Sequence, residues 1–190
     1  MAATPPERLH FTGHAEADEL LAREPLALLI GFVLDQQVTV QKAFSSPLEL
    51  ERRVRSLDAA EIAGMEPDAL ERVFREKPAL HRYPGVMARR TQELCAFVAS
   101  EHGGKAERVW TKAEDGRDLE RRLLELPGIG AMKAKSLVAV LAKRFGVQPP
   151  GWENVAPSYP TLGDVDSVEA LERYQEAKRA HKAKLRAASS

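Results

Sequence analysis

The sequence has almost no cysteine: Cys95 is the only one among 190 residues. A single thiol cannot form a disulfide within the chain, and it cannot supply the sulfur ligands of a structural zinc site. Cys95 lies in the apolar stretch 94–98, so we expect it to be a buried core residue. Neither a disulfide nor a zinc site is therefore expected.

Long apolar runs and a signal peptide are missing as well. No stretch approaches the roughly eighteen consecutive apolar residues of a membrane-spanning helix. The start of the chain, residues 1–6, is short and polar, unlike a signal peptide. A cytoplasmic protein without a membrane partner is the expectation from these two observations. We also find no internal repeats, and the length suits one domain or two small, closely packed ones.

An excess of charge of either sign is absent too. Lys plus Arg number 28 and Asp plus Glu number 28, so the formal net charge is zero. A protein without net charge exerts no global pull on nucleic acid, and any such affinity must come from a local basic patch. The basic end of the last predicted helix is one such patch, although a solvated helical tail explains the same charges.

Apolar residues recur at helical spacing along most of the chain, which predicts an all-α fold. Residues 26–34 are apolar on all sides, so a helix beginning at Pro25 should be central and enclosed. A further helix is expected to start at residues 45–47, Ser-Ser-Pro, and residues 1–13 are predicted to be a loosely held arm. Short helices joined by tight turns favour a compact helical barrel.

The predicted barrel occupies residues 25–146 and ends in a helix-hairpin-helix. Residues 1–24 together with 147–190 are predicted to form a terminal helical subdomain. The second part of that subdomain begins with an irregular segment rich in Pro and Gly, which then gives way to the last helix.

The hairpin is predicted from residues 126–130, Leu-Pro-Gly-Ile-Gly, which separate two amphipathic helical segments. Pro127 ends the first helix, while Gly128 and Gly130 permit positive φ and let another molecule approach the main chain. The amides of residues 130–132 then lie at a helix N-terminus, where unpaired N–H groups and the helix dipole attract an anion such as phosphate. An ordinary packing corner between two helices is the alternative.

A second motif lies upstream, where the apolar run ends in Leu-Asp-Gln-Gln-Val at residues 34–38. Taken alone, Gln36 and Gln37 could simply cap a buried helix. Together with the hairpin about ninety residues later, the pattern resembles the HhH-GPD superfamily of base-excision DNA glycosylases. Leu-x-Gln-Gln-Val is most similar to the alkyladenine-type branch of that superfamily.

The resemblance implies a monomeric repair protein that binds double-stranded DNA, extrudes a damaged or alkylated base and removes it. Gln37 would fill the space that the extruded base leaves. The hairpin would hold one phosphate, with a monovalent cation at the backbone of Leu126 and Gly128. The DNA-binding residues implied are Gln36, Gln37, Gly128, Ile129, Gly130, Ala131, Lys133 and Lys135.

The catalytic positions depart from the family pattern. An ungapped alignment of the hairpin places Met132 where bifunctional members carry a Schiff-base lysine, which favours a hydrolytic, monofunctional glycosylase over a lyase. The same register places the family's aspartate near residues 150–152, which include no Asp. Glu153 is the nearest carboxylate, and Asp35, beside the Gln-Gln turn, is the second candidate.

The resemblance also makes Tyr83 and His81 candidate pocket residues, because the corresponding segment of the family lines the cleft. A buried tyrosine and a capping histidine are the alternatives. Family branches with an iron–sulfur cluster need four cysteines, so no cluster, and no other cofactor, is expected here.

Two other functions remain open at this point. The first is a non-catalytic DNA-binding or damage-recognition protein that kept the scaffold and lost the acid. The second is a protein–protein module in which the hairpin is only a packing corner, a reading that the zero net charge favours slightly.

Overall fold

A computed structural model of the chain describes residues 4–189, and within that range all regular structure is helical, which confirms the predicted all-α class. The α-helices are α1 (Ala15–Arg23), α2 (Pro25–Leu34), α3 (Val40–Val54), α4 (Ala59–Ala63), α5 (Pro67–Arg75), α6 (Pro84–His102), α7 (Arg108–Thr111), α8 (Gly116–Leu124), α9 (Ala131–Phe145) and α10 (Val168–Ala188). Two short 3-10 helices, Trp152–Asn154 and Leu162–Asp164, lie between α9 and α10. Residues 1–3 of the predicted arm and residue 190 of the predicted terminal subdomain lie outside the described range.

Helix α2 is central and enclosed, as predicted. Every residue from Leu26 to Leu34 is buried, and Pro25 occupies the first turn, where its missing N–H costs nothing. Helices α1, α3 and α6 pack around it. The ring of Phe44 on α3 contacts Phe32 edge-on, with ring centroids 5.2 Å apart. Cys95 on α6 is buried in the same core, which also confirms that prediction.

The prediction of a loosely held N-terminal arm is wrong for residues 9–12. Leu9 and Phe11 are buried, and the amides of Phe11 and Thr12 each donate to Oδ1 of Asp18 at 3.0 Å. Asp18 lies on α1, so one carboxylate fixes the arm to the first helix. Because the residues before Leu9 are mostly polar, the attachment of this segment to α1 was not predicted from the sequence.

The predicted helix start at residues 45–47 is also wrong, because α3 runs through Pro47 without a break. The helix begins instead after Thr39, whose side chain accepts the amide of Lys42. An interior proline costs about 3 kcal/mol. Burial of Phe44 and Leu48 on either side of Pro47 offsets that cost and keeps the helix continuous.

Helices α8 and α9 form the hairpin pair. Asp115 caps the start of α8 by accepting the amide of Asp118, and α9 ends at Gly146 in the left-handed region, with φ of 66°. The 3-10 helix Leu162–Asp164 packs on α9 so closely that a Cβ at Gly163 would lie 2.7 Å from the main chain of Ala139. This backbone contact positions the start of α10 relative to the hairpin pair.

No helix within residues 4–189 combines the length and the hydropathy that a membrane crossing requires.

Candidate nucleic-acid site

The turn that ends α2 is held by His81, which is buried. Its Nε2 lies 3.0 Å from the carbonyl oxygens of both Leu34 and Gln36, and its Nδ1 accepts the amide N–H of Tyr83 at 2.9 Å. Carbonyls only accept and an amide only donates, so these partners require the neutral tautomer with its proton on Nε2. His81 therefore caps the end of α2, one of the two roles that the sequence left open.

This arrangement makes stability sensitive to acid. Burial lowers the pKa of His81 below its usual value, against the effect of the two carbonyls, and the charges of Lys42 and Lys133 lower it further. The unfolded chain then binds this proton more readily than the folded chain, so stability should fall as the pH drops below about 6.5. We expect the free energy of unfolding in urea to decrease between about pH 7.5 and about pH 5.5.

The matched control is His81→Gln, which offers an N–H donor but does not titrate. The variant should be less stable than the wild type at neutral pH and should lose much of the acid dependence. An identical pH dependence in both proteins would assign the effect to other groups.

Gln36 and Gln37 are held by different partners. Oε1 of Gln36 accepts from the guanidinium of Arg90 on α6 at 2.7 Å. Oε1 of Gln37 accepts from the hydroxyl of Tyr83 at 3.0 Å, and the Gln37 backbone lies in the left-handed region, with φ of 53°. Gln37 and Tyr83 are both exposed. The turn therefore presents a glutamine side chain and a phenol ring together at the surface.

The hairpin lies directly against the end of α2. Gly128 has φ of 83°, and a Cβ built on it would lie 3.3 Å from both methyl groups of Val33. Leu126 and Ile129 are buried, whereas nothing lies within 4 Å of a Cβ built on Gly130. Among residues 4–189 the amides of residues 130–133 have no hydrogen-bond acceptor. The start of α9 therefore offers open N–H donors beside the turn of α2.

Lys133 joins the two motifs. Its Nζ donates to the carbonyl of Val33 at 3.3 Å, across 100 positions of the sequence. Burial lowers the pKa of Lys133 to about 8, although the charge of Asp35 opposes the shift. Met132, aligned with the family's lysine, is 75% exposed, and Lys135 is exposed as well. The lysine one place after the aligned position is thus the one that contacts the end of α2.

Asp35 lies at the centre of this region and is half-buried. Burial raises the pKa of its carboxyl, opposed by the charges of Lys178, Lys133 and Lys182. Burial also raises the pKa of Tyr174 to about 12, and the charge of Asp35 contributes to that shift. Within residues 4–189 no donor makes a hydrogen bond to the carboxylate oxygens of Asp35. A half-buried carboxylate near three lysines, with no hydrogen-bond donor among the described residues, is the chemical centre of the site.

Glu153 lies away from this centre. Its 3-10 helix packs against the first residue of α8, where the amide of Gly116 donates to the carbonyl of Pro150 at 2.9 Å. A Cβ on Gly116 would meet the main chain of Trp152 at 2.6 Å. The hairpin follows the opposite end of α8, about 13 Å along a nine-residue helix. The structure brings Asp35, but not Glu153, to the hairpin.

Two hollows lie outside the Asp35 region. One, of about 320 Å³, is lined by residues of α1 and α3. The other, of about 330 Å³, lies between α10 and the 3-10 helix Leu162–Asp164, and Tyr174 contributes to its wall. Neither is lined by Asp35. Tyr174 is therefore shared by the second hollow and the Asp35 cluster.

The described residues include no group of three or more His, Cys, Asp or Glu side chains placed to hold a metal ion. The cation implied by the resemblance would depend on main-chain carbonyls of the hairpin. Of these, the Leu126 carbonyl already accepts the amide of Ile129 at 3.2 Å, and the Gly128 carbonyl accepts from no donor within residues 4–189. The Gly128 oxygen is the better ligand of the two.

Sequence reasoning identified the basic end of α10 but missed that Tyr174, Lys178 and Lys182 lie near Asp35. Tyr174, Lys178 and Lys182 are four residues apart, a spacing that places them on one helix face. That spacing was the available signal, but it does not reveal which part of the fold the face lies against.

Comparisons with family models, with curated proteins and with solved structures find no match to this chain.

Proposed function

We propose that this protein is a base-excision DNA glycosylase of the HhH-GPD type, which removes a damaged or alkylated base from duplex DNA. The proposal rests on one observation, the contact between the hairpin and the last turn of α2, which leads into Gln36 and Gln37. Gly128 packs on Val33, and Lys133 donates to the Val33 carbonyl. The resemblance requires these two motifs to flank a single cleft, and the short helices around α2 would then form the family's barrel.

The hairpin supplies the grip on the DNA backbone. The open amides of residues 130–133 offer donors to one phosphate, and the dipole of the fifteen-residue α9 favours a negative charge there. Lys135 lies exposed in the next turn and adds a cation. Contacts to phosphate position a protein without reading sequence, so this element serves any duplex.

The turn of α2 supplies the residue that enters the duplex. Extruding a nucleotide costs a few kcal/mol, and a side chain that takes its place lowers that cost. Gln37 is exposed, and Tyr83 holds its amide group. Arg90 and His81 hold the neighbouring Gln36. The inserted side chain thus stands on a turn fixed from two sides.

Asp35 supplies the chemistry. Cleavage of the N-glycosidic bond passes through a transition state with oxocarbenium character, which a nearby carboxylate stabilises. Water then adds to C1′ of the sugar, its proton passes to the carboxylate, and the bonding electrons leave with the base. A raised pKa makes Asp35 a better proton acceptor than an exposed carboxylate. Because no donor within residues 4–189 bonds to its oxygens, they are available to accept a hydrogen bond from that water.

A second chemistry is favoured by one observation, the position of Lys133. An amine with a pKa of about 8 is neutral in an appreciable fraction of molecules at neutral pH. The neutral amine could attack C1′ and expel the base, which leaves with the bonding electrons and takes up a proton from the amine. The C1′–O4′ bond would then open as O4′ takes up a proton, which leaves a protonated imine between Lys133 and the sugar. This would make the protein a bifunctional lyase through a lysine one position beyond the aligned site.

The experiment incubates the purified protein with duplexes that each carry one damaged base, and measures abasic sites by alkaline cleavage. Parallel reactions contain borohydride, which reduces an imine to a stable cross-link. The hydrolytic proposal expects abasic sites without cross-links and a rate that falls as acid protonates Asp35, above the ordinary carboxyl range.

A cross-link that Lys133→Met abolishes, with a rate that rises through about pH 8, would establish the lyase instead. Salt-dependent duplex binding without base release would identify a damage-recognition protein. Failure to bind any duplex at low salt would overturn the proposal altogether.

A further inference from the structure

The second half of α10 extends beyond the folded body. Ala170 and Leu171 are buried, and the amide groups of Gln175 and Gln41 on α3 exchange hydrogen bonds at 2.7 and 3.2 Å. Every residue from 176 to 189 is exposed. The helix is therefore anchored at its start and projects for about 20 Å without packing against the core.

This projecting half is basic although the chain has no net charge. The basic residues are Lys178, Arg179, Lys182, Lys184 and Arg186, and Glu176 is the single acidic residue between positions 176 and 189. A helix that only needed solubility would carry both signs in balance. The local excess is the kind of patch that the charge analysis required for nucleic-acid binding.

One face of the helix lies near Asp35, at the proposed cleft. Tyr174, Lys178 and Lys182 follow one another at four-residue spacing, so they fall within about 80° of the helix circumference. The ammonium group of Lys178 lies 5.7 Å from the ring centroid of Tyr174. The charges of both lysines act on Asp35, which lies beside the open amides of the hairpin. The open amides and this lysine stripe therefore both lie near Asp35, at the proposed cleft.

We propose that Lys178 and Lys182 bind the sugar-phosphate backbone of the duplex that the hairpin holds, so that α10 and the hairpin grip the DNA on two sides of Asp35. The proposal rests on the proposed function and adds a second backbone contact to it. About 20 Å of helix passes roughly six phosphates of one strand, so two lysines have partners along its length. The contact is electrostatic and independent of sequence.

The test compares two double variants that remove the same charge from the same helix. Lys178→Gln with Lys182→Gln changes the face towards the cleft. Arg173→Gln with Lys184→Gln changes exposed positions that lie between about 120° and about 180° around the helix from Lys178 and Lys182. Three of the four positions lie in the projecting half, and Arg173 is exposed, so both variants should fold. Circular dichroism checks that they do.

Dissociation constants for an undamaged duplex are measured by fluorescence anisotropy at several salt concentrations. The cleft-facing variant should bind about tenfold or more weakly at low salt, with the slope of log K against log salt reduced by about 2. The control variant should keep the wild-type slope. Equal losses in both variants, or no loss in the cleft-facing variant, would overturn the proposal.

Two combinations of results, from duplex binding and from base release, separate the failure of this proposal from the failure of the proposed function. If the wild type releases bases while the cleft-facing variant binds as the control does, only the α10 contact is refuted. If the cleft-facing variant alone loses affinity and slope but no damaged duplex yields abasic sites, the contact stands and the glycosylase proposal fails. A concentration-dependent dimer that Leu185→Asp dissociates would assign this face to a second copy of the chain and overturn the proposal.

Discussion

Replacing Asp35 by asparagine is expected to lower the rate of base release at least about 100-fold, because the substitution removes the negative charge that stabilises the transition state. Duplex affinity should change little, since the amides of the hairpin are untouched. The fold should also tolerate the change. Burial raises the pKa of Asp35, so the ionised carboxylate reduces stability above its ordinary pKa, and an uncharged amide of the same shape avoids that cost.

The matched control is Glu153→Gln, which makes the same chemical change at the other candidate carboxylate. Glu153 is exposed and lies near the far end of α8, so this variant should retain the wild-type rate. Single-turnover rates of abasic-site formation at saturating protein measure both variants. A loss in the Glu153 variant with an active Asp35 variant would reverse the catalytic assignment, and two active variants would show that no carboxylate of this pair is needed.

Replacing Gly130 by aspartate is expected to reduce duplex affinity about 100-fold without unfolding the protein. Gly130 caps α9 with extended backbone, φ of −90° and ψ of 179°, and a Cβ there meets nothing within 4 Å. Aspartate is a favoured N-cap residue, and stability should stay equal or rise by about 0.5–1 kcal/mol. The new carboxylate occupies the open amides and repels the phosphate that they would bind.

The control for this variant is Ala60→Asp, which adds the same charge at an exposed position of α4, a helix that packs against α6. Its affinity should stay within about threefold of the wild type, because an isolated surface charge is screened. Gly128 is unsuitable for the same test. Its φ of 83° favours glycine and its Cβ position lies against Val33, so a substitution there would disturb the fold itself. Unchanged binding by a folded Gly130→Asp variant would refute phosphate binding at the hairpin.

Most helix limits follow from local signals and were predictable. Pro25 begins α2, Ser167 caps α10 through its hydroxyl, and Gly103 ends α6 in the left-handed region. Each of these signals acts within one helical turn, through a missing donor, a capping oxygen or a permitted φ. Such effects do not depend on the rest of the fold, so the sequence contains them completely.

The two wrong predictions, the helix start at residues 45–47 and the loosely held arm, have a common physical cause. Pro47 and the polar arm before α1 carry local signals for a helix start and for a loose segment. Burial of Phe44 beside the proline, and of Phe11 in the arm, outweighs those signals. Local preferences are worth about 1–3 kcal/mol, and burying one aromatic side chain contributes a comparable amount. The partners that bury these rings are distant in sequence, so the outcome could not be read locally.

The sequence by itself determined that this chain is all-helical, that α2 is enclosed, and that the glycine-containing segment 126–130 separates two helices. Only the tertiary structure decided that Lys133, rather than Met132, contacts the end of α2, and that Asp35, rather than Glu153, lies near the hairpin. It also decided that two lysines of α10 lie near Asp35. Periodicity and caps are properties of neighbouring residues, whereas the direction of a side chain into a shared cleft depends on how separate helices pack. That packing is set by contacts such as Gly128 on Val33 and Gly163 on Ala139, which join positions far apart in the chain.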